Sequence, residues 1–244
     1  MKPLMNLPLR GAPVAMIDFE TTGIDPWSCE PLEVAVVHFN LGTTKPQVVY
    51  RTLIRPTGPI PEGATKVHGI TDEQAATGRE LEAVGRDLAS WMHGRVPAAY
   101  NLPYDWPLLF RAIQTAGWSC PSFIGGLDPM VWYRQIRGKL SGRLTDACRD
   151  FDVRFEGEAH AASADALAAA RLIPVLLDQL ADDDHLSEGM TVSDMWQLTN
   201  RWALEQVDTL AAWLRSKGRV EDGAWSKCLA ATTPVPMEGA DAPE

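Results

Sequence analysis

Three β-like apolar runs open the chain, Val14 to Phe19, Leu32 to Phe39 and Val48 to Ile54, separated by clusters of Gly, Pro, Asn and Thr. Short apolar runs bounded by turn formers read as strands, and three in succession predict an antiparallel meander. The period then changes. Leu81, Val84, Leu88 and Trp91 recur at helical spacing and Gly94 closes the stripe, so an amphipathic helix is expected. A strand is predicted over Val96 to Tyr100. Pro103 suits the first turn of the next helix, which carries Trp106, Leu109 and Ile113 on one face and ends at Gly117. Another strand is expected near Phe123 to Leu127, and a helix over Ser141 to Phe151.

Ser163 is placed to cap an Ala-rich helix bearing Ala168, Ala169, Leu172 and Leu176. Pro174, which lacks a backbone donor, is expected to kink or shorten that helix. Thr191 and Asp194 have the spacing of a capping box, and Met195, Trp202, Val207, Leu210 and Leu214 mark one long helix after it. The chain is thus expected to divide into a domain over residues 11–181, an acidic linker over 182–190, a helical extension over 191–229 and a Pro-rich, disordered tail over 230–244.

Composition narrows the function. A chain of 244 residues has room for one large domain or a domain with an appendage. Its 22 Lys and Arg against 32 Asp and Glu give a net charge of −10, the wrong sign for coating duplex DNA through its phosphates. Any nucleic-acid role must then be local and metal-assisted. Cys29, Cys120, Cys148 and Cys228 stand far apart with no C-x-x-C pair, against both a zinc ribbon and a disulfide framework, so a reducing, cytoplasmic setting is expected. Pro3, Pro8, Arg10 and Pro13 interrupt any signal peptide, and the apolar stretch Leu167 to Leu180 contains Arg171, Pro174 and Asp178, so no membrane segment is expected.

The candidate chemistry lies in carboxylates. Asp18 and Glu20 interrupt an apolar strand two positions apart, which puts both on one face of the strand. Two like charges on a half-buried sheet repel each other and lose hydration, a cost that a divalent cation offsets directly. Asp105 falls in the first turn of a helix, where a carboxylate gains from the helix N-terminus. His160 stands five residues before Asp165 at the start of the Ala-rich helix. Singly, these are an edge strand with solvated acids, a helix-start charge and a surface histidine. Together they are far more specific.

In that order, Asp18-x-Glu20, Asp105, then His160 with Asp165, the chain resembles the DEDDh 3′-to-5′ exonucleases, the DnaQ-like group that includes the proofreading epsilon subunit of bacterial DNA polymerase III. The likeness runs from about Val14 to Leu180, more than two thirds of the chain. Asp18-Phe19-Glu20-Thr21-Thr22-Gly23, Val67-His68-Gly69-Ile70-Thr71 and Leu144-x-x-Ala147-Cys148 add to it. Departures are Tyr104, where Phe is usual before the second acid, and Ala161 and Ala162 after His160. Neither replaces a catalytic atom.

The resemblance implies an α/β, ribonuclease H-like fold, a mixed β-sheet flanked by helices, with a C-terminal helical extension. It implies two divalent metal ions, Mg²⁺ or Mn²⁺, held by Asp18, Glu20, Asp105 and Asp165, with Asp18 bridging both. Hard oxygen donors do select such ions over zinc. His160 would be the general base, since an imidazole takes up a proton near neutral pH. The turn Thr21-Thr22-Gly23-Ile24 would hold the terminal nucleotide, its amides on the nucleotide and Ile24 wedged against a base. His68 and Ile70 either line the same pocket or belong to a plain loop into a helix capped by Thr71. Asn101, counted among the substrate contacts, is expected to organise the second-motif loop through side-chain hydrogen bonds.

The expected substrate is nucleic acid with a free 3′ end, single-stranded DNA first. An RNA or oligoribonucleotide exonuclease is the alternative, since no reader of the 2′-hydroxyl is evident. A non-catalytic polymerase-tethering module is another, and a DNA polymerase or other replication protein is a candidate partner. The extension carries Trp196, Trp202, Trp213 and Trp225, four of nine tryptophans. That density demands a burial partner. Packing against the exonuclease core is expected ahead of an interface with another protein.

Overall fold

The computed structural model describes residues 4–118, 125–138, 141–157 and 160–216, with side chains as far as residue 210. The meander is present: β1 (Pro13–Thr21), β2 (Pro31–Asn40) and β3 (Gln47–Leu53) pair antiparallel, and β4 (Val96–Ala98) joins β1 in parallel, giving the order β3-β2-β1-β4. Among the described residues the helices are α1 (Glu62–His68), α2 (Asp72–Ala76), α3 (Leu81–Met92), α4 (Leu102–Thr115), α5 (Pro129–Arg137), α6 (Leu144–Asp150), α7 (Ala162–Asp182) and α8 (Val192–Ser216). None is long and apolar enough to cross a membrane.

Strand alternation sorts β1 between two cores. Val14 and Met16 join Ala35, Val37 and Phe39 of β2 under α5, α6, α7 and α8. Ala15, Ile17 and Phe19 join Val34 and Val36 under α3 and α4. The Ala-rich face of α7 lets that helix lie close to the sheet, with Ala162, Ala166, Ala169 and Ala170 all buried. On the other side α3 and α4 touch at the backbone, where a Cβ on Gly85 would stand 1.9 Å from the Ala112 carbonyl oxygen. Only glycine fits there.

Several elements differ from expectation. β4 ends at Ala98 because Asn101 turns left-handed (φ 82°) and Asp128 accepts the N–H groups of Asn101 and Leu102 at 3.1 and 3.0 Å, drawing the chain into α4. Residues 119–124 lie outside those described, and of the expected strand Phe123 to Leu127 only Leu127 is seen paired, in a parallel bridge to Ala98. α5 was not anticipated, although Asp128 caps it, Pro129 occupies its first turn and Gly138 (φ 59°) ends it. Ser163 is not a cap: it lies inside α7, whose N-cap is Ala161 with no side-chain bond. Nor does Pro174 shorten α7, which runs on to Asp182, buried along its length by Leu172, Ile173, Leu176 and Leu180.

The Thr191–Asp194 box closes as expected, with Asp194 N–H on Thr191 Oγ1 at 3.2 Å and Thr191 N–H on Asp194 Oδ2 at 2.9 Å. α8 packs back on α5: Trp132 Nε1 donates to Thr199 Oγ1 at 2.7 Å, and Gln206 Nε2 to the Val131 carbonyl at 2.9 Å. Trp196 and Trp202 are buried, and Trp196 covers Gly125 so closely that a Cβ there would lie 2.5 Å from the indole. The N-terminal segment straps the start of α8 through a Pro8–Thr191 bridge. Trp225, residues 230–244 and the side chain of Trp213 lie outside the described residues.

Candidate active site

The period of two along β1 carries Asp18 and Glu20 to the face of Val14 and Met16, beneath α7. Asp18 stands opposite Ala35 and Glu20 opposite Glu33 of β2. Asp105 arrives from the first turn of α4, deeply buried, and its Oδ1 accepts the Phe19 N–H at 3.1 Å, so it is bonded to β1 between the two strand acids. Asp165 projects from the first turn of α7. His160 precedes that helix in a left-handed conformation (φ 66°) and is exposed. Three distant stretches of chain thus deliver the sequence-predicted acids to one place.

Their proximity is written in their acidities. Burial, then Asp165 and Glu33, holds the Asp18 carboxyl well above the usual range. Burial, then Asp18, Asp165 and Glu33, pushes Glu20 up to about 9. Asp105 is raised by burial and by Asp18, against the opposing Phe19 N–H. Burial also raises Asp165, although His160 beside it works the other way. Asp18, Glu20 and Asp105 resist ionising because water is excluded and their neighbours share their sign, and Asp165 because it is buried.

Such a cluster fits a cation. One ligand atom each from Glu20, His160 and Asp165 lie within 4.8 Å of one another, close enough for a single ion. Asp165 Oδ1 is buried with no hydrogen-bond partner, a lone-pair donor awaiting an acceptor of electron density. Carboxylate oxygens dominate the donor set, which suits hard divalent ions. Asp18 and Asp105 stand outside that trio but within electrostatic reach of it.

The expected substrate contacts divide. Thr21 Oγ1 donates to the Gly23 carbonyl at 2.7 Å and meets the Tyr104 hydroxyl, which also donates to Gly23 at 2.6 Å. The Thr22 N–H and hydroxyl are both engaged with Glu30, which leaves the Thr22 amide unavailable to a nucleotide. Ile24 stands 96% exposed at the tip of this pinned turn. His68 adjoins Thr21 and His160, and its Nδ1 accepts the Ile70 N–H at 3.0 Å. Ile70 packs into a small core with Leu32, Ile60 and Ala75. Thr71 caps α2 in a full capping box with Gln74. Asn101 also departs from expectation: its Oδ1 is buried without a partner, and the loop is organised by Asp128, which accepts from Asn101, Leu102 and Met130.

Sequence reasoning missed Glu33, Arg51, Asp128 and the Tyr104 hydroxyl. Glu33 was legible as a charge inside an apolar strand, in step with Ala35 and Val37 on the face that carries Asp18 and Glu20. Asp128 was legible as the Asp-Pro start of a helix. Arg51 and the hydroxyl carried no signal, since their partners lie far away in the chain.

Comparison with known proteins agrees with this geometry. A DNA polymerase III subunit epsilon-like protein of Rhodobacter capsulatus is 31% identical over 180 residues, 71% of this chain but only 25% of its own length. An uncharacterized exonuclease of Escherichia phage 186 is 30% identical over 172 residues, 66% of this chain and 86% of its own. Among solved structures, the nuclease domain of 3′hExo, a DEDDh family member bound to rAMP, superposes with a TM-score of 0.57 at 19% identity, covering 73% of this chain and 97% of that one. E. coli Exonuclease I in complex with a dA16 oligonucleotide gives 0.57 at 18% identity, over 70% of this chain and 42% of that one. The exonuclease model RNase_T matches residues 15–173, and the chain belongs to that exonuclease family.

Proposed function

We propose that the chain is a divalent-metal-dependent 3′-to-5′ exonuclease that releases nucleoside monophosphates one at a time from the 3′ end of single-stranded DNA. The observation that carries this reading is the convergence of four mutually repelling, poorly hydrated carboxylates from β1, α4 and α7 beside an exposed imidazole. Asp18, Glu20, Asp105 and Asp165 would hold two Mg²⁺ or Mn²⁺ ions. Such ions, when bound, supply positive charge to the phosphoryl group and make water a stronger nucleophile.

The chain's own residues do the rest. His160 takes the proton from the attacking water as its oxygen bonds to phosphorus. The bond from phosphorus to the 3′-oxygen of the preceding nucleotide breaks, and that oxygen takes a proton from solvent water to become the hydroxyl of the new 3′ end, while His160 later returns its proton to solvent. Asp105, fixed to the Phe19 amide, keeps α4 in register with β1. The Thr21–Ile24 turn, tied by Tyr104, presents Ile24 to the terminal base, with His68 at its side. Cytoplasmic action beside a replication polymerase is part of the proposal, supported by the epsilon-like relative.

RNA is the second substrate to weigh, because RNA exonuclease 4 of Homo sapiens is 31% identical over 94 residues, 38% of this chain and 22% of its own length. Matched 5′-labelled DNA and RNA oligonucleotides, digested with Mg²⁺, Mn²⁺ or EDTA, test both. The expected result is a ladder shortening from the 3′ end, faster on DNA and absent in EDTA. Digestion unaffected by EDTA would overturn the metal assignment, and faster digestion of RNA would overturn the substrate.

A further inference from the structure

Glu33 sits on β2 directly opposite Glu20, a fifth carboxylate on the face that already carries the strand acids. It is 3% exposed, and both of its oxygens are engaged. Oε1 accepts Arg51 Nε at 2.8 Å and pairs with Nη2 at the same distance. Oε2 accepts the Ala162 N–H at 3.1 Å, across 129 positions of sequence. Ala162 is the first residue of α7, between His160 and Asp165, and α7 has no side-chain cap of its own. Glu33 therefore does from the sheet what Ser163 was expected to do locally: its carboxylate satisfies an orphan donor at a helix N-terminus.

A cap of stability alone would not need to stand beside four acids whose charge it makes worse. Its place has another consequence. The backbone reverses at His160 in a left-handed turn that side-chain-bearing residues adopt only when their surroundings hold them. The bond to Ala162 grips the chain two residues after that turn and three before Asp165. We propose that Glu33 is a positioning residue of the exonuclease site, a remote cap that sets the distance of His160 and Asp165 from Asp18 and Glu20. Arg51, on β3, holds one oxygen so that the other faces the helix.

The assignment rests on the exonuclease reading, so its test includes measurements that need no turnover. Glu33→Gln is isosteric but cannot serve both donors, because its NH₂ must confront either Arg51 or the Ala162 amide. In metal-free protein, hydrogen exchange of the Ala162 amide should quicken at least ~10-fold relative to mid-helix amides of α7. Affinity for Mn²⁺, measured by titration on the folded variant, should fall by about 10- to 100-fold, the usual effect of losing a group that orients metal ligands. On single-stranded DNA kcat should fall by a similar factor while KM stays within about threefold, the split expected of misplaced catalytic groups. Arg51→Met should reproduce part of each effect and Arg51→Lys should restore most of it. Should Glu33→Gln fail to fold, Arg51→Met at its half-exposed position carries the same measurements. Wild-type Mn²⁺ affinity and kcat in a folded variant would overturn the proposal. So would a lowered melting temperature with Mn²⁺ affinity, kcat and Ala162 exchange unchanged. An inactive parent that still binds Mn²⁺ through this strut would refute the exonuclease reading instead.

Discussion

Stripped of divalent ions, this protein should lose stability as pH rises from 7 to 8.5. Glu20 drives the effect: burial first, then Asp18, Asp165 and Glu33, lifts its pKa from 4.5 to about 9. Across that window the unfolded chain has already ionised Glu20 while the native state still holds the proton. A group raised in this way contributes stability that is complete below pH 4.5 and lost as pH climbs through 9. One proton costs about 1.4 kcal/mol per pH unit, so 1.5 units remove about 2 kcal/mol. Asp18 and Asp105, raised for the same reasons, add to it. His38 and His68 are shifted downward by burial and weaken the fold only as pH falls below the ordinary histidine range, outside the window. In a chain of this size about 2 kcal/mol corresponds to a drop in Tm of roughly 4 to 8 °C. Scanning calorimetry in EDTA reads it directly. Saturating Mg²⁺ should flatten the dependence, since a bound cation takes the place of the protons, and Glu20→Gln should remove about one proton's share. A Tm in EDTA that stays level or rises from pH 7 to 8.5 would refute the electrostatic picture of the cluster.

Asp18→Ala or Asp165→Ala should abolish nuclease activity while the metal-free protein melts no lower than the parent, and full activity in folded Asp18→Ala would end the two-ion reading. His160→Ala should lower kcat by about 10² to 10⁴, the range for losing a general base. Because His160 lies within 4.8 Å of ligand atoms of Glu20 and Asp165, a loss confined to metal affinity would make it a ligand instead. With a net charge of −10, few distant phosphates should be neutralised, so log K against log salt should have a slope of about −1 to −3 on single strands, and one steeper than about −5 would reveal a basic groove. Truncation after Asp184 should give a destabilised or insoluble protein, because it uncovers α5 and removes buried Trp196 and Trp202. A soluble, equally stable and active fragment would make the segment a detachable tether.

How much of this was legible depended on how far apart the interacting residues lie. The meander could be read because each strand states its own period, and Asp18 and Glu20 because a two-residue spacing fixes their common face. The Thr191–Asp194 box was equally local and formed as read. Ser163 was misread for a physical reason: a serine near a helix start is a local cap only where nothing better reaches the amides, and here Glu33 does. Pro174 was overvalued because the apolar side chains around it bind α7 to the sheet along its whole length, which offsets one missing donor. At Asn101 the loop requires a left-handed backbone, held by Asp128, rather than side-chain hydrogen bonds, and a sequence does not distinguish the two.

The polar bonds that join the motifs to one another cross long stretches of sequence. Phe19 to Asp105 spans 86 positions, Ala162 to Glu33 spans 129, and Tyr104 to Gly23 spans 81. No periodicity records such pairs, and only the shared fold can deliver them. The same geometry accounts for how an acidic chain can act on a polyanion. Strand alternation gathers negative charge onto one face of β1 and β2, where it would repel a phosphate outright. On the proposed reading, divalent ions held there would reverse the local sign and draw nucleic acid to the place where the bond is cut. An extended basic surface would hold a strand along its length; a metal-charged pocket holds only its end. Net acidity is therefore compatible with an exonuclease, and the proposed site would grip the terminal nucleotides rather than track along a duplex.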